Sequence, residues 1–430
     1  MSGTGRPQAR AQPSRRSLRH LLDAPHRLAF FAGALMLAAT ALWWLAVLLT
    51  RAAGIALPWA VPPAGAHALL MAHGFMPFFF LGFACTGAPR WMGLAPVPAR
   101  QLLVPVGGML AGWALVFAGV NVAKAAAAAG LALVALCLAA ALWRLAIWIR
   151  ASGSRDRLHV RLLLLGQAAG VAALLAAALC VASDQASAVP LIVRASLWAG
   201  HGVVFMAAAH RLVPYFAAGA WPALQHRWPG VMPIIVTSLM AAQAPGVWLP
   251  APGAAGGSPM VALVRGGCAL AAAVIVAAMV GHWAWVQNVR IRLVAMLYAG
   301  VVWLAIALAL QALGDLGAGT PWAAGAVLAS LHALALGFMG SIMLAMVTRV
   351  ACAQHGRAVV ADGYAWGLFW LAQLAAAARV LGAWLAPTHP AVGASGAQLA
   401  ALFWAMAATG WALRYGRWFI TARAGARSQR

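Results

Sequence analysis

Twelve runs of about 20 apolar residues, each long enough to cross about 30 Å of hydrocarbon as a helix, divide this chain. They begin near Leu28, His67, Gln101, Ala125, Val160, Ser187, Val231, Val261, Leu293, Pro321, Gly363 and Gln398. With 65% hydrophobic and 8% charged residues among 430, and not one Glu, the chain cannot be a water-soluble globule. The reading is all-α: a polytopic integral membrane protein of about 12 transmembrane helices.

A formal charge of +24 suggests nucleic acid until the basic residues are placed against the spans. With the N-terminus inside, the N-terminal arm, the even-to-odd loops and the C-terminal tail hold 24 of the 29 Lys and Arg. The opposite side keeps Arg51, Lys124, Arg194, Arg265 and Arg379. This partition is the positive-inside bias, so both termini are expected in the cytoplasm and no nucleic-acid partner is expected. Attraction to anionic membrane lipid is a secondary effect.

Residues 1–27 read as a disordered basic cytoplasmic arm, 28–420 as a single membrane domain, and 421–430 as a basic cytoplasmic tail. The first span has no small-residue cleavage site at the right distance, so a removed signal peptide is not expected. The longest loop is the Pro/Gly/Ala-rich stretch around Pro250 to Gly257, and no nucleotide-binding motif accompanies it. Cys85, Cys137, Cys180, Cys268 and Cys352 stand singly, with no C-x-x-C and no C-x-x-C-H for covalent haem attachment. Gly108 with Gly112, Gly166 with Gly170 and Gly363 with Gly367 have the four-residue spacing that lets membrane helices pack closely.

Ionisable side chains inside spans are expensive and mark candidate sites. His67, His73, His201, His210, His282 and His332 lie within spans. On the assigned topology His67, His73 and His332 fall in the outer half, His201 at mid-depth, and His210 and His282 near the inner face. Each alone is as well explained by a hydrogen bond to a backbone carbonyl or Ser. Taken together, spans two, six and ten offer imidazoles at comparable depth, and neutral imidazole ligates haem iron, copper and zinc. Met339, Met343 and Met346 share a stripe with His332, which fits gap-filling at a helix interface better than ligation.

The segment LHALALGFMGSIMLAMVTRVACAQHGR, Leu331 to Arg357, resembles the tenth-span signature of the NnrS family. HGFMPFFFLGFACTGAPRWMG from His73, HRLVPYF from His210 and RLVAMLYAGVVW from Arg292 are similar to further motifs of that family, in the same order. The chain departs from the pattern at three places. The family's His-x-His-Glu-Met near the start of span two is here His67, Leu69, Leu70 and Met71; Tyr298 stands where His is common; and the His of the Gly-Arg turn is displaced to His355. The resemblance implies a bacterial inner-membrane protein that binds haem and copper and is associated with denitrification and with protection against nitric oxide. It carries over His67 and His332 as motif residues, with Arg349 and Arg211 as structural or haem-propionate partners. Both arginines lie near the inner face, so the propionate role fails for a haem in the outer half.

The architecture also resembles haem-copper oxidase catalytic subunits, whose metal ligands sit on spans two, six and ten. That likeness makes His67 and His332 an axial pair for one b-type, non-covalent haem, with His73 as a further candidate and His201 at a copper position. There is no His-His pair in span seven and no second His beside His332, so a full binuclear centre is not expected. The implied function is response to nitric oxide, the redox partner being unspecified. The alternatives are a secondary transporter for a metal, haem or small solute, and a membrane assembly protein without cofactor.

Overall fold

A computed structural model describes residues 16–154, 157–218, 231–248, 258–286 and 289–423. Among these there is no strand. Eleven helices are long and apolar enough to span a membrane: α1 (Pro25–Ala52), α2 (Pro63–Trp91), α3 (Ala99–Val122), α4 (Lys124–Ala151), α5 (Leu158–Ala182), α6 (Ala186–Val213), then, after a shorter apolar segment α7 (Met232–Trp248), α8 (Pro259–Ala284), α9 (Arg292–Leu316), α10 (Ala323–Gln354), α11 (Gly363–Leu385) and α12 (Pro390–Phe419). The protein is therefore an all-α multi-pass membrane protein. The expected seventh span corresponds to α7, and the loop around Pro250 to Gly257 lies outside the described residues.

Short connections make neighbours of α3 and α4, α4 and α5, α9 and α10, and α11 and α12, and α12 returns to pack on α1. Three helices sit inside this arrangement. In their most apolar stretches α2, α6 and α10 are 83%, 72% and 67% buried, against 33–56% for the other spans, so these three form the inner layer. The peripheral helices turn Leu136, Leu165, Val274 and Leu381 outward, where they are more than half exposed, and in a bilayer such side chains meet lipid.

Small residues set the helix spacing where backbones touch. A Cβ at Gly112 of α3 would lie 2.7 Å from the Gly130 carbonyl of α4, and one at Gly166 of α5 would lie 2.7 Å from the Gly200 carbonyl of α6. The pair Gly363 and Gly367 behaves differently: among the described residues nothing lies within 4 Å of a Cβ at either position, so that stripe packs none of them.

Folded structure begins before residue 27, ahead of the expected end of the basic arm; residues 1–15 lie outside the described residues. Leu18–Leu22 form a 3-10 turn, and Ser17 N–H donates to the Ile420 carbonyl at 2.8 Å. Arg27 is buried and donates to the carbonyls of His20, Phe419 and Thr421 at 3.3, 3.3 and 2.9 Å, tying the start of α1 to the end of α12. His355 lies just beyond α10, stacked on Trp418 with ring centroids 5.6 Å apart. Burial, and then the nearby Arg27 and Arg357 charges, push its imidazole down to about 4, so it is neutral at pH 7.

Candidate functional site

Each inner helix departs from regular α geometry at a histidine. In α2 the first segment ends at His73, and Pro77 follows in the first turn of the second. Proline has no N–H, and its ring would clash with the carbonyl four residues back, which is that of His73. Gly74 makes the break possible, since a Cβ there would run into the Leu70 carbonyl and come within 2.9 Å of Thr40 Cγ2. In α6 a π-turn covers Leu197–His201, and in α10 another covers Ala333–Met339, directly after His332. Such wide turns re-aim side chains and recur at functional sites.

Between these helices and α11 and α12 lies a cavity of about 360 Å³. His67, Met71, Arg194, His332, Arg379 and Trp404 are among its lining, with apolar side chains such as Phe75 and Leu331. His67 lies on Trp44, ring centroids 3.9 Å apart and planes at 28°, and its buried Nδ1 has no hydrogen-bond partner among the described residues. His332 Nδ1 is 2.9 Å from the Leu328 carbonyl. A carbonyl only accepts, so Nδ1 carries the proton and Nε2 keeps its lone pair, the tautomer and orientation typical of a metal-bound imidazole.

His73 and His201 form a separate, fully buried pair that does not line this cavity. The Ser196 hydroxyl donates to the Val193 carbonyl at 2.8 Å, so it must accept from His73 Nε2 at 3.0 Å. His73 Nδ1 is then an acceptor for His201 Nε2–H at 3.2 Å, leaving His201 Nδ1 a buried lone pair with no partner. The four imidazoles thus resolve into two pairs, and His201 goes with His73 rather than with His67 and His332. The cause is helical: six residues put His67 and His73 about 240° apart around one axis.

Arg211 and Arg349 are distant from both pairs. Arg211 stacks on Trp91 with its guanidinium 4.6 Å from the ring centroid. Arg349 follows His332 by about 25 Å of helix rise. His210 pairs with His159 of α5 at 3.1 Å, and His282 is exposed. Arg379 and Arg194, which no motif of the sequence marks as site residues, line the cavity instead. Their signal in the sequence is position, since each is a basic residue within or beside an apolar run.

The donor set suits haem. No group of three or more His, Cys, Asp or Glu able to hold a metal ion occurs among the described residues. A porphyrin brings four nitrogens of its own and asks the protein only for axial ligands. Two imidazoles in one cavity, one with its proton fixed away from the ligating atom and one with a free buried nitrogen, meet that requirement.

The fold and site together define a multi-pass helical membrane protein with a histidine-lined cavity between its inner helices and α11 and α12. Residues 20–423 match the family model described as NnrS protein. That is nearly the whole chain, and the protein belongs to the NnrS family. No curated protein matches it.

Proposed function

We propose that the protein is a haem protein of the bacterial inner membrane that serves the response to nitric oxide, with His67 and His332 as the residues that would hold one non-covalent, b-type haem. Family membership supports the nitric-oxide role. The charge partition of the sequence supports a cytoplasmic location for both termini. The observation that carries the haem reading is the His332 ring, whose Nδ1–H is engaged by Leu328 while Nε2 is left as a lone pair beside a cavity that His67 shares.

When bound, haem supplies a redox-active iron with affinity for nitric oxide. The protein's contribution is geometry and dryness. Leu328 holds the His332 tautomer, Trp44 holds the plane of His67 by stacking, and Phe75, Leu331 and Leu336 present apolar surface that keeps water away. In the buried pair the candidate copper-binding atom is His201 Nδ1, with Ser196 orienting it through His73.

The test is an absorption and metal analysis of detergent-purified protein before and after nitric oxide is added. The expected result is a haem spectrum that changes with nitric oxide and that His67→Ala or His332→Ala weakens or shifts. A colourless, metal-free wild type would overturn the proposal.

A further inference from the structure

The cavity has a charge problem that the imidazoles do not solve. Among the described residues its charged lining is Arg194 and Arg379, with no carboxylate. Arg379 stands within the membrane-spanning α11 and has no hydrogen bond or ion pair among the described residues. Among the described residues Arg194 reaches only the Gln311 side-chain oxygen, at 3.4 Å, and its buried Nε has no hydrogen-bond partner. The nearest acid is already committed: Asp315 is 3.2 Å from Arg265 and accepts from Gln311 Nε2 at 2.9 Å. Gln311 thereby separates Arg194 from Asp315, its amide donating to one and accepting from the other.

A guanidinium facing an apolar, membrane-embedded cavity without a counter-ion is strongly unfavourable. Two of them call for an anion from the ligand. Planar forks with several N–H groups bond both oxygens of a carboxylate, and the rest of the wall is apolar or imidazole. The ligand class that satisfies all of this is an amphiphile with a flat apolar body and an acidic edge.

We propose that Arg379 and Arg194 form the acid-binding edge of the cavity and take the carboxylates of the bound porphyrin. This rests on the haem reading above and adds to it the residues that fix which edge of the porphyrin lies towards α11 and α6. It moves the propionate role from Arg349 and Arg211, which line no part of the cavity. Arg379 lines the same cavity as His67 and His332.

The experiment titrates the full-length protein in detergent with ferric protoporphyrin IX and, separately, with its dimethyl ester, followed by absorption. Wild type is expected to bind the diacid about tenfold or more tightly than the ester, the scale of one or two charge-assisted hydrogen bonds. In Arg379→Gln, and further in the double variant with Arg194→Gln, that preference should shrink while the imidazole-ligated spectrum persists. Arg379→Lys should keep part of it, and because the spectrum itself reports a folded cavity, loss of preference is distinguishable from loss of fold. Equal binding of diacid and ester by wild type, or an undiminished preference in the double variant, overturns this inference and leaves the haem reading standing. Failure of wild type to bind either porphyrin overturns both. So does native mass spectrometry showing an anionic phospholipid held by wild type, released by the double variant, with no porphyrin bound.

Discussion

Gly166 and Gly170 lie one turn apart on α5, and replacing each by Ala tests whether the approach of α5 to α6 positions His201. At Gly166 a Cβ would sit 2.7 Å from both the Gly200 carbonyl and Val204 Cγ2. At Gly170 its nearest neighbours are the rings of His73 and His201 at 3.8 and 3.9 Å, an ordinary contact. Both substitutions recover the same helix propensity, about 1 kcal/mol, so that term cancels in the comparison. What remains is the overpacking at Gly166, about 1–3 kcal/mol where a backbone atom cannot step aside. Relieving it pushes α6 away next to His201, whose hydrogen bond to His73 is already 3.2 Å long. Thermal unfolding in detergent should therefore place Gly166→Ala below Gly170→Ala by that free energy, with Gly170→Ala equal to or above wild type. Equal midpoints, or the reverse order, would refute the packing argument.

The remaining predictions concern the ends of the bundle. Burial holds His355 down to about 4, so in the window from pH 6.5 to about 4 the unfolded chain binds the extra proton and stability falls as pH falls; His355→Gln should flatten that slope in unfolding midpoints measured across the window. Asp362 caps α11 through Ala365 N–H at 3.0 Å and pairs with both terminal nitrogens of Arg414, which hold its carboxyl below the usual value. Asp362→Ala should cost about 1–2 kcal/mol in chemical denaturation and Asp362→Asn, which keeps the cap, less than about 1. Arg27→Met leaves the Phe419 and Thr421 carbonyls without their side-chain donor and should expose the end of α12 to proteolysis while the central bundle stays intact; an unchanged cleavage pattern would contradict the clasp.

Apolar run length carries the membrane fold, because it follows from the bilayer rather than from particular contacts. The importance of α2, α6 and α10 was also legible, since each bears a histidine within an apolar run. Which imidazoles meet was less so. The rotation between His67 and His73 follows from their six-residue spacing, whereas the π-turns at Leu197–His201 and Ala333–Met339 leave no local signature among Leu, Ala and Gly. Arg194 and Arg379 converge from helices far apart in the chain, and no periodicity links them. Gly363 and Gly367 show the opposite failure, a packing motif with no partner facing it.

The central claim is that His67 and His332, rather than His73 and His201, hold the haem. Haem content per protein, measured by pyridine haemochrome on two purified double variants, tests it most directly. The account predicts that His67→Ala/His332→Ala loses haem and that His73→Ala/His201→Ala, if folded by size-exclusion chromatography, retains it. Haem kept by the first variant and lost by the second would contradict it.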